Sequence, residues 1–334
     1  MMTEKRRLGR SGLEVSTVTM GCWAIAGDST WGTQDEADAI GAVRTALECG
    51  VNCFDTAEGY GSGVSEQLLQ KALGNRRHEA IICSKIFPQH TESWQNMVAS
   101  CENSLRNLGT DYIDLYYLHW PNRKTPIEEI LMGFEELVKA GKIRHYGVSN
   151  FGVGDLKELL SHGRIEVNQL PYNLLWRAIE HEVLPLCREQ EIGVACYSPL
   201  MHGLLTGKFK DGASVPDCRA RTRHFSKAHS QIRHTESGQE ELTFQVIDAI
   251  RGIAAEVGCP MAELSLAWLI HQPGVSTVIA GARSPEQMRA NAKAMERCLS
   301  ADILARLEAA SAPLKAAFDT NPDMWQSGSD TRYR

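Results

Sequence analysis

The chain has 334 residues, 43% of them hydrophobic, with a formal net charge of -6 and ten cysteines. That is apolar content enough for a large core, yet no apolar run approaches the roughly 18 residues of a membrane span, and the negative balance argues against non-specific nucleic-acid binding. The opening Met1-Met2-Thr3-Glu4-Lys5-Arg6-Arg7 has charge but no apolar segment after it, so no signal peptide is expected; cysteines without CxxC spacing read as reduced thiols in a cytoplasm.

In chain order, residues 5–8 and 13–15 flank Gly9-Arg10-Ser11-Gly12, which has the turn chemistry of a short hairpin. Eight apolar runs of strand length follow: 18–21, 51–55, 80–85, 113–119, 143–150, 167–170, 192–198 and 276–280. Helical patterns lie between most of them. Thr33-Gln34-Asp35-Glu36 has the form of a capping box, with Glu36 reaching back to Thr33. Ala37, Ile40, Val43 and Leu47 then recur at helical spacing, and Gly50 ends that helix. Similar segments cover 91–108, 125–140, 180–190, 241–257 and 284–294. Strands alternating with helices predict an α/β fold, a (β/α)8 TIM barrel of one domain over 1–334 with the hairpin plugging its N-terminal end. A tail runs over about 317–334.

A basic loop over about 208–240 interrupts the rhythm. Its first part, 208–234, holds seven Lys or Arg against Asp211 and Asp217, with histidines at 224, 229 and 234. It reads either as a solvated loop or as a cationic lid over an anionic ligand at the loop-bearing face.

Asp55, Lys85 and His119 each end a strand-like run, and Tyr60 sits just past the first. A parallel barrel presents its reactive side chains at such ends. A phenol has a pKa of about 10, poorly matched to neutral pH; a neighbouring ammonium favours the phenolate and eases release of the proton. Tyr60 is thus a candidate general acid, Lys85 its activating charge, Asp55 the partner of Lys85, and His119 a donor that aims a carbonyl oxygen. Singly, the same residues read as a structural ion pair, a surface aromatic and a core histidine. Protonating a carbonyl also requires a hydride, which implies a nicotinamide cofactor. The Rossmann fingerprint is absent, since Gly59-Tyr60-Gly61-Ser62-Gly63 lacks the third glycine, and Gly203-Leu204-Leu205-Thr206-Gly207-Lys208 is one residue short of a P-loop. The dinucleotide is therefore expected to lie extended on the barrel mouth. Tyr197 is placed to stack on the nicotinamide, and Ser149, Asn150 and Gln169 to bond its carboxamide; each also reads as a capping or turn residue. Arg283, just before Ser284-Pro285-Glu286 opens a helix, suits an adenosine 2′-phosphate, with Gln287 and Asn291 one turn apart on the same face.

Asp55-Thr56-Ala57 with Tyr60-Gly61, Ser84-Lys85, Leu118-His119, Gly147-Val148-Ser149-Asn150-Phe151, Asn168-Gln169, Tyr197-Ser198-Pro199-Leu200 and Gly281-Ala282-Arg283 with Gln287 and Asn291 together resemble the aldo-keto reductase superfamily along almost the whole chain. The resemblance implies a barrel enzyme reducing aldehydes or ketones with NADPH, with Asp55, Tyr60, Lys85 and His119 as its tetrad. It further implies a cofactor site built from Cys22, Trp23, Asp55, Ser149, Asn150, Gln169, Tyr197, Ser198, Leu200, Gly203, Lys208, Gly281, Arg283, Gln287 and Asn291, with the loop from Ser198 to Lys208 folding over the pyrophosphate. The chain departs from many members at Ala290, where they carry Glu, and at Gly281-Ala282, where some carry Lys-Ser.

Trp23, Phe87, Trp120 and Trp176 follow strand ends and are expected, with Tyr60 and His119, to wall the pocket of a small carbonyl substrate. The segment Asn321–Gln326 is expected to fold over it, with Arg332 and Arg334 near. Such a mouth suits a sugar-derived or short hydroxylated aldehyde. Two other readings stand beside reduction: a barrel aldolase with a Schiff base on Lys85, and a subunit that senses NADP without turnover. Among the eleven histidines there is no HxH or HExxH, so no metal site is expected.

Overall fold

The computed structural model describes residues 4–318 and 320–334; the reading of the leader at residues 1–3 lies outside them. Strands β1 (Lys5–Arg7) and β2 (Glu14–Ser16) pair antiparallel. Eight parallel strands then close a barrel: β3 (Val18–Gly21), β4 (Cys53–Asp55), β5 (Ile81–Ile86), β6 (Ile113–Leu118), β7 (Ile143–Ser149), β8 (Val167–Pro171), β9 (Gly193–Tyr197) and β10 (Val275–Gly281), with β10 pairing back onto β3. All eight predicted runs become these strands. They read as near-continuous apolar runs because both faces of a parallel barrel strand are buried.

The helices are α1 (Glu36–Glu48), α2 (Val64–Leu73), α3 (Trp94–Leu108), α4 (Ile127–Lys139), α5 (Val153–His162), α6 (Val183–Glu189), α7 (Glu240–Val257), α8 (Met261–Ile270), α9 (Pro285–Ala292) and α10 (Ala301–Ala317). In α4 the residues Ile130, Leu131, Phe134 and Leu137 form the buried stripe. The first helix begins differently from expectation. Its cap is Asp35, whose side chain accepts from the Asp38 backbone N–H at 2.9 Å. A shorter carboxylate one turn ahead satisfies the free donor directly, so the Thr33–Glu36 box does not form. The end is as predicted, with Gly50 at φ 80° just beyond it.

Alternation along the strands divides the core in two. Outward residues pack against the helices in a large cluster. Inward residues Cys53, Cys83, Leu115, Val167, Ala195 and Ile279 fill the barrel floor, where Leu8 and Val15 from the hairpin join them. The hairpin therefore plugs the N-terminal end. The next inward positions up, two residues further along each strand, face the opposite mouth. No single helix among the described residues is long and apolar enough to cross a membrane.

Candidate active site

Asp55 and Lys85 both belong to that upper inward layer. The β4–β5 register pairs Asp55 with Cys83, so Lys85 stands one inward step higher on the neighbouring strand. Its ammonium is fully buried and donates to Asp55 Oδ1 at 2.6 Å, to the Thr56 carbonyl at 2.7 Å and to the Tyr60 hydroxyl at 3.1 Å. All three ammonium donors are thus used. Gln169, the upper inward residue of β8, donates to Asp55 Oδ2 at 2.7 Å. His119 follows β6; its ring lies edge-on to Tyr60, centroids 6.0 Å apart at 77°, and stacked on Phe87 at 5.6 Å and 18°. Of the four residues brought together by reasoning on strand ends, Asp55, Tyr60 and His119 border one cavity, and Lys85 is fully buried behind Asp55 and Tyr60.

The electrostatics follow from burial and pairing. Burial opposes the Lys85 charge, but Asp55 and Tyr60 outweigh it and raise its pKa above the ordinary lysine value. Burial also dominates at Tyr60, raising the phenol although Lys85 pulls the other way. Lys85 acts in the expected direction, favouring the phenolate, but against a larger rise from burial that the sequence did not show. Burial, and then Lys85, hold His119 well below the usual imidazole range, so the ring is neutral at physiological pH. Its Nδ1 is buried with no hydrogen-bond partner.

The cavity, about 850 Å³, extends from this wall across the mouth. Trp23, Ser149, Asn150, Gln169, Tyr197, Ser198, Leu200, Gly203, Lys208, Gly281, Arg283, Gln287 and Asn291 border it, as expected from the sequence. Cys22 does not. Its side chain is fully buried, with Sγ directed to the Met20 carbonyl, because it is an outward residue next to the strand end. Asn150, at φ 66°, donates to the His119 carbonyl at 3.0 Å and to Ser149 Oγ at 2.9 Å, and accepts from the Tyr197 and Tyr333 hydroxyls at 2.8 and 2.7 Å. Two donors and two lone pairs are all engaged, so bonding a carboxamide requires one of these to be exchanged.

The far end is cationic. Lys208, Arg219, Arg221 and Arg233 of the basic loop border the cavity together with Arg283. Arg219 lies over the Trp31 ring at 4.0 Å, and Arg221 donates to Thr30 Oγ1 at 2.8 Å. Arg283 is fixed by Gln34 Oε1 at 2.7 Å, by the Trp31 carbonyl at 2.6 Å and by the Thr33 carbonyl. Of its five donors, one on each Nη is left. Three buried polar atoms here have no partner: Trp31 Nε1, His202 Nε2 and Arg221 Nε. Burial, with Arg221 and Arg219, pushes His202 down to about 4, so it too is neutral. The orphaned Trp31 Nε1 and Arg221 Nε donors among these cations suit a phosphate-bearing ligand. The loop's other histidines are structural. His224 is buried with Nε2 2.9 Å from the Leu175 carbonyl, His234 is buried near the Thr222 carbonyl, and His229 faces Asp217.

Residues 17–312 match the Aldo/keto reductase family. The chain belongs to this family. It is 33% identical to the aldo-keto reductase YhdN of Bacillus subtilis, over 86% of this chain and 87% of that one. It is likewise 33% identical to the NADH-specific methylglyoxal reductase of Escherichia coli, over 89% and 95%. The solved aldo/keto reductase of Klebsiella pneumoniae in complex with NADP and acetate superposes with a TM-score of 0.72 at 31% identity, covering 92% of this chain and 95% of that one.

The other end of the cavity in this aldo/keto reductase barrel is completed by the tail. Trp325 stacks near Tyr197 at 6.0 Å and 13°, and Arg332 lies 3.6 Å over the Trp120 ring. Trp23, Phe87, Trp120, Trp325 and Arg332 all border the cavity. Trp176 does not: it is a fully buried core residue whose Nε1 donates to the Pro322 carbonyl, so it anchors the tail from beneath. Arg334 also turns away, pairing with Asp155 and Glu158 beside α5. Sequence reasoning passed over Trp31, His202 and Tyr333. Trp31 and Tyr333 lie in aperiodic segments, and the only local signal at His202 is the adjoining Gly203, since both take positive φ.

Proposed function

We propose that this protein reduces an aldehyde or ketone to the alcohol with NADPH, Tyr60 acting as general acid. The observation that carries the reading is the Lys85 ammonium, held by Asp55 at 2.6 Å and donating to the Tyr60 hydroxyl at 3.1 Å. The relative crystallised with NADP supports the cofactor, as do the cations and orphaned donors at the far end of the cavity. When bound, the nicotinamide supplies the hydride. Tyr197, Ser149, Asn150 and Gln169 would hold its ring and carboxamide, Lys208 with the basic-loop arginines its phosphates, and Arg283 with Gln287 and Asn291 its adenosine end.

This chain's residues then manage the proton. A neutral His119 directs the carbonyl oxygen toward Tyr60 without adding a charge, and the phenol gives up its proton as negative charge grows on that oxygen. Lys85 stabilises the phenolate left behind, and Asp55 keeps Lys85 charged. The same pairing speaks against a Schiff-base aldolase. An amine whose pKa is raised, and whose three donors are all engaged, is poorly placed to act as a nucleophile. A sensing role without turnover leaves the complete tetrad unexplained.

The substrate side favours a short hydroxylated aldehyde. Aromatic walls exclude water, while Arg332 offers donors already neutralised by Asp323 at 2.7 and 2.8 Å. Such a group bonds a hydroxyl without calling for an anion. Incubating the protein with NADPH and a panel of aldehydes and sugars, following NADPH absorbance, tests the reading. No oxidation with any carbonyl would defeat it.

A further inference from the structure

Most histidines that must aim one ring nitrogen are held by a hydrogen bond on the other. His119 has no such bond, since Nδ1 is buried without a partner. The ring is instead set by packing, and the Phe87 face stacked on it at 5.6 Å and 18° is the flat contact available to fix its plane.

Phe87 is itself held with unusual care. It is the residue after β5, where the chain leaves the barrel. Its backbone N–H donates to Glu58 Oε1 at 2.6 Å, and the same oxygen lies 3.0 Å from His90 Nδ1. Glu58 Oε2 accepts from Ser100 Oγ on α3. The carboxylate is only 7% exposed. It therefore ties the loop after β4 to the loop after β5 and to α3 through bonds to a charged acceptor, stronger than neutral ones. Gly59 completes the seat: a Cβ there would fall 2.2 Å from Phe87 Cζ. The Glu58 side chain bonds no tetrad side chain; it holds the Phe87 backbone directly, and His90, which it also bonds, lies edge-on to the Phe87 ring at 6.0 Å and 80°.

We propose that Glu58 and Phe87 are positioning residues for His119, Glu58 fixing the Phe87 backbone and the Phe87 ring fixing the imidazole plane. The inference rests on the carbonyl-reduction reading for its effect on rate, but its structural half does not. Near-attack geometry is steep enough that an ångström of misplacement costs on the order of a hundredfold.

The experiment compares Glu58→Ala, Glu58→Gln and Phe87→Leu with the wild-type full chain, using NADPH and glyceraldehyde as the probe. Glu58→Ala and Phe87→Leu are expected to lower kcat by at least about tenfold while the NADPH dissociation constant stays within about threefold. Glu58→Gln keeps an acceptor oxygen for the Phe87 N–H and is expected to return kcat to within about threefold of wild type. A second readout needs no turnover. In nitrogen-15 histidine spectra, the wild-type His119 signal should stay that of one neutral tautomer through neutral pH. Glu58→Ala should broaden it or let it titrate. Absence of wild-type turnover would count against carbonyl reduction, leaving the spectra to judge the positioning. Wild-type kcat together with an unchanged His119 signal in Phe87→Leu overturns the proposal, whether or not Glu58→Ala folds. So does a loss of NADPH affinity in Glu58→Ala that parallels the loss of kcat, which marks general collapse of the site.

Discussion

The Tyr60 hydroxyl lies 3.1 Å from the Lys85 ammonium, which also stands 4.7 Å from the centroid of the Tyr60 ring. Replacing Tyr60 with Phe keeps the ring and its cation–π contact and removes only the ionisable group. Lys85 retains Asp55 and the Thr56 carbonyl. Carbonyl reduction is expected to fall by roughly 10²–10⁴, with NADPH affinity nearly intact. Steady-state kinetics beside a fluorescence titration check both halves, and a variant with near wild-type turnover would remove Tyr60 from the role of acid.

Lys85→Met acts on the same proton from the other side. Burial already raises the Tyr60 pKa and Lys85 opposes the rise, so removing the ammonium raises it further. Reduction needs the protonated phenol and is lost as pH climbs through that pKa; the alkaline limb of the surviving rate profile should therefore move to higher pH, at a much lower rate. The Asp55 carboxylate, 3% exposed, is left unpaired, which should cost about 3–5 kcal/mol of stability. A pH–rate profile with a melting curve measures the two effects. An unmoved limb means Lys85 is a structural partner alone.

The barrel and the tetrad were legible because parallel strands impose simple patterns. Apolar runs of strand length mark the walls, and a reactive residue ending such a run points into the mouth. Legibility fails where contacts are made by segments without period. Nothing in the sequence places Tyr333 on Asn150 or the Trp31–Gln34 loop on Arg283, since both depend on chain folding back across the mouth. Trp176 misled for the same reason: a residue just past β8 can point to the cavity or beneath it, and the Pro322 carbonyl decided which. Helices α2, α5, α8 and α10 escaped detection for different reasons. In α8 nine of the ten residues are buried, so no amphipathic stripe exists to be read.

Acid should destabilise the fold through His224, whose pKa is pushed down to about 3 chiefly by burial. Above the unfolded value of about 6.5 both states are neutral. Below it the unfolded chain takes up a proton that the folded chain refuses, so stability falls as pH drops from about 6.5 toward 3. By about pH 5 this amounts to roughly 2 kcal/mol. His224→Gln lacks that titration. Its melting temperature should fall less than the wild type's between about pH 7 and pH 5, and equal falls would contradict the assignment.

The substrate reading turns on Arg332, 3.6 Å over the Trp120 ring and bidentate to a fully buried Asp323. Arg332→Ala removes the free donors facing the cavity, and a lost hydrogen bond of about 1 kcal/mol corresponds to several-fold in binding. The KM for glyceraldehyde is expected to rise several-fold, while that for propionaldehyde, which has no hydroxyls, moves little. Parallel increases would point instead to collapse of the tail over its unpaired aspartate, which the melting temperature would report.

Cofactor preference rests on Arg283, which serves two ends. Three of its donors hold the loop at Trp31, Thr33 and Gln34. The two left, one on each Nη, sit on a guanidinium that cannot swing, so their presentation to a 2′-phosphate is fixed before binding. Arg283→Ala should therefore weaken NADPH much more than NADH, with a smaller loss common to both as the loop is released. Lys cannot replace three carbonyl-directed donors and still face the cavity, so Arg283→Lys should restore little of the NADPH affinity. Titrating both dinucleotides against wild type and the two variants by tryptophan fluorescence separates the contributions. Equal losses for NADPH and NADH would leave Arg283 as a loop anchor and pass phosphate recognition to Arg219, Arg221 and Arg233; a wild type that prefers NADH, the cofactor named for the Escherichia coli relative, would end the assignment altogether.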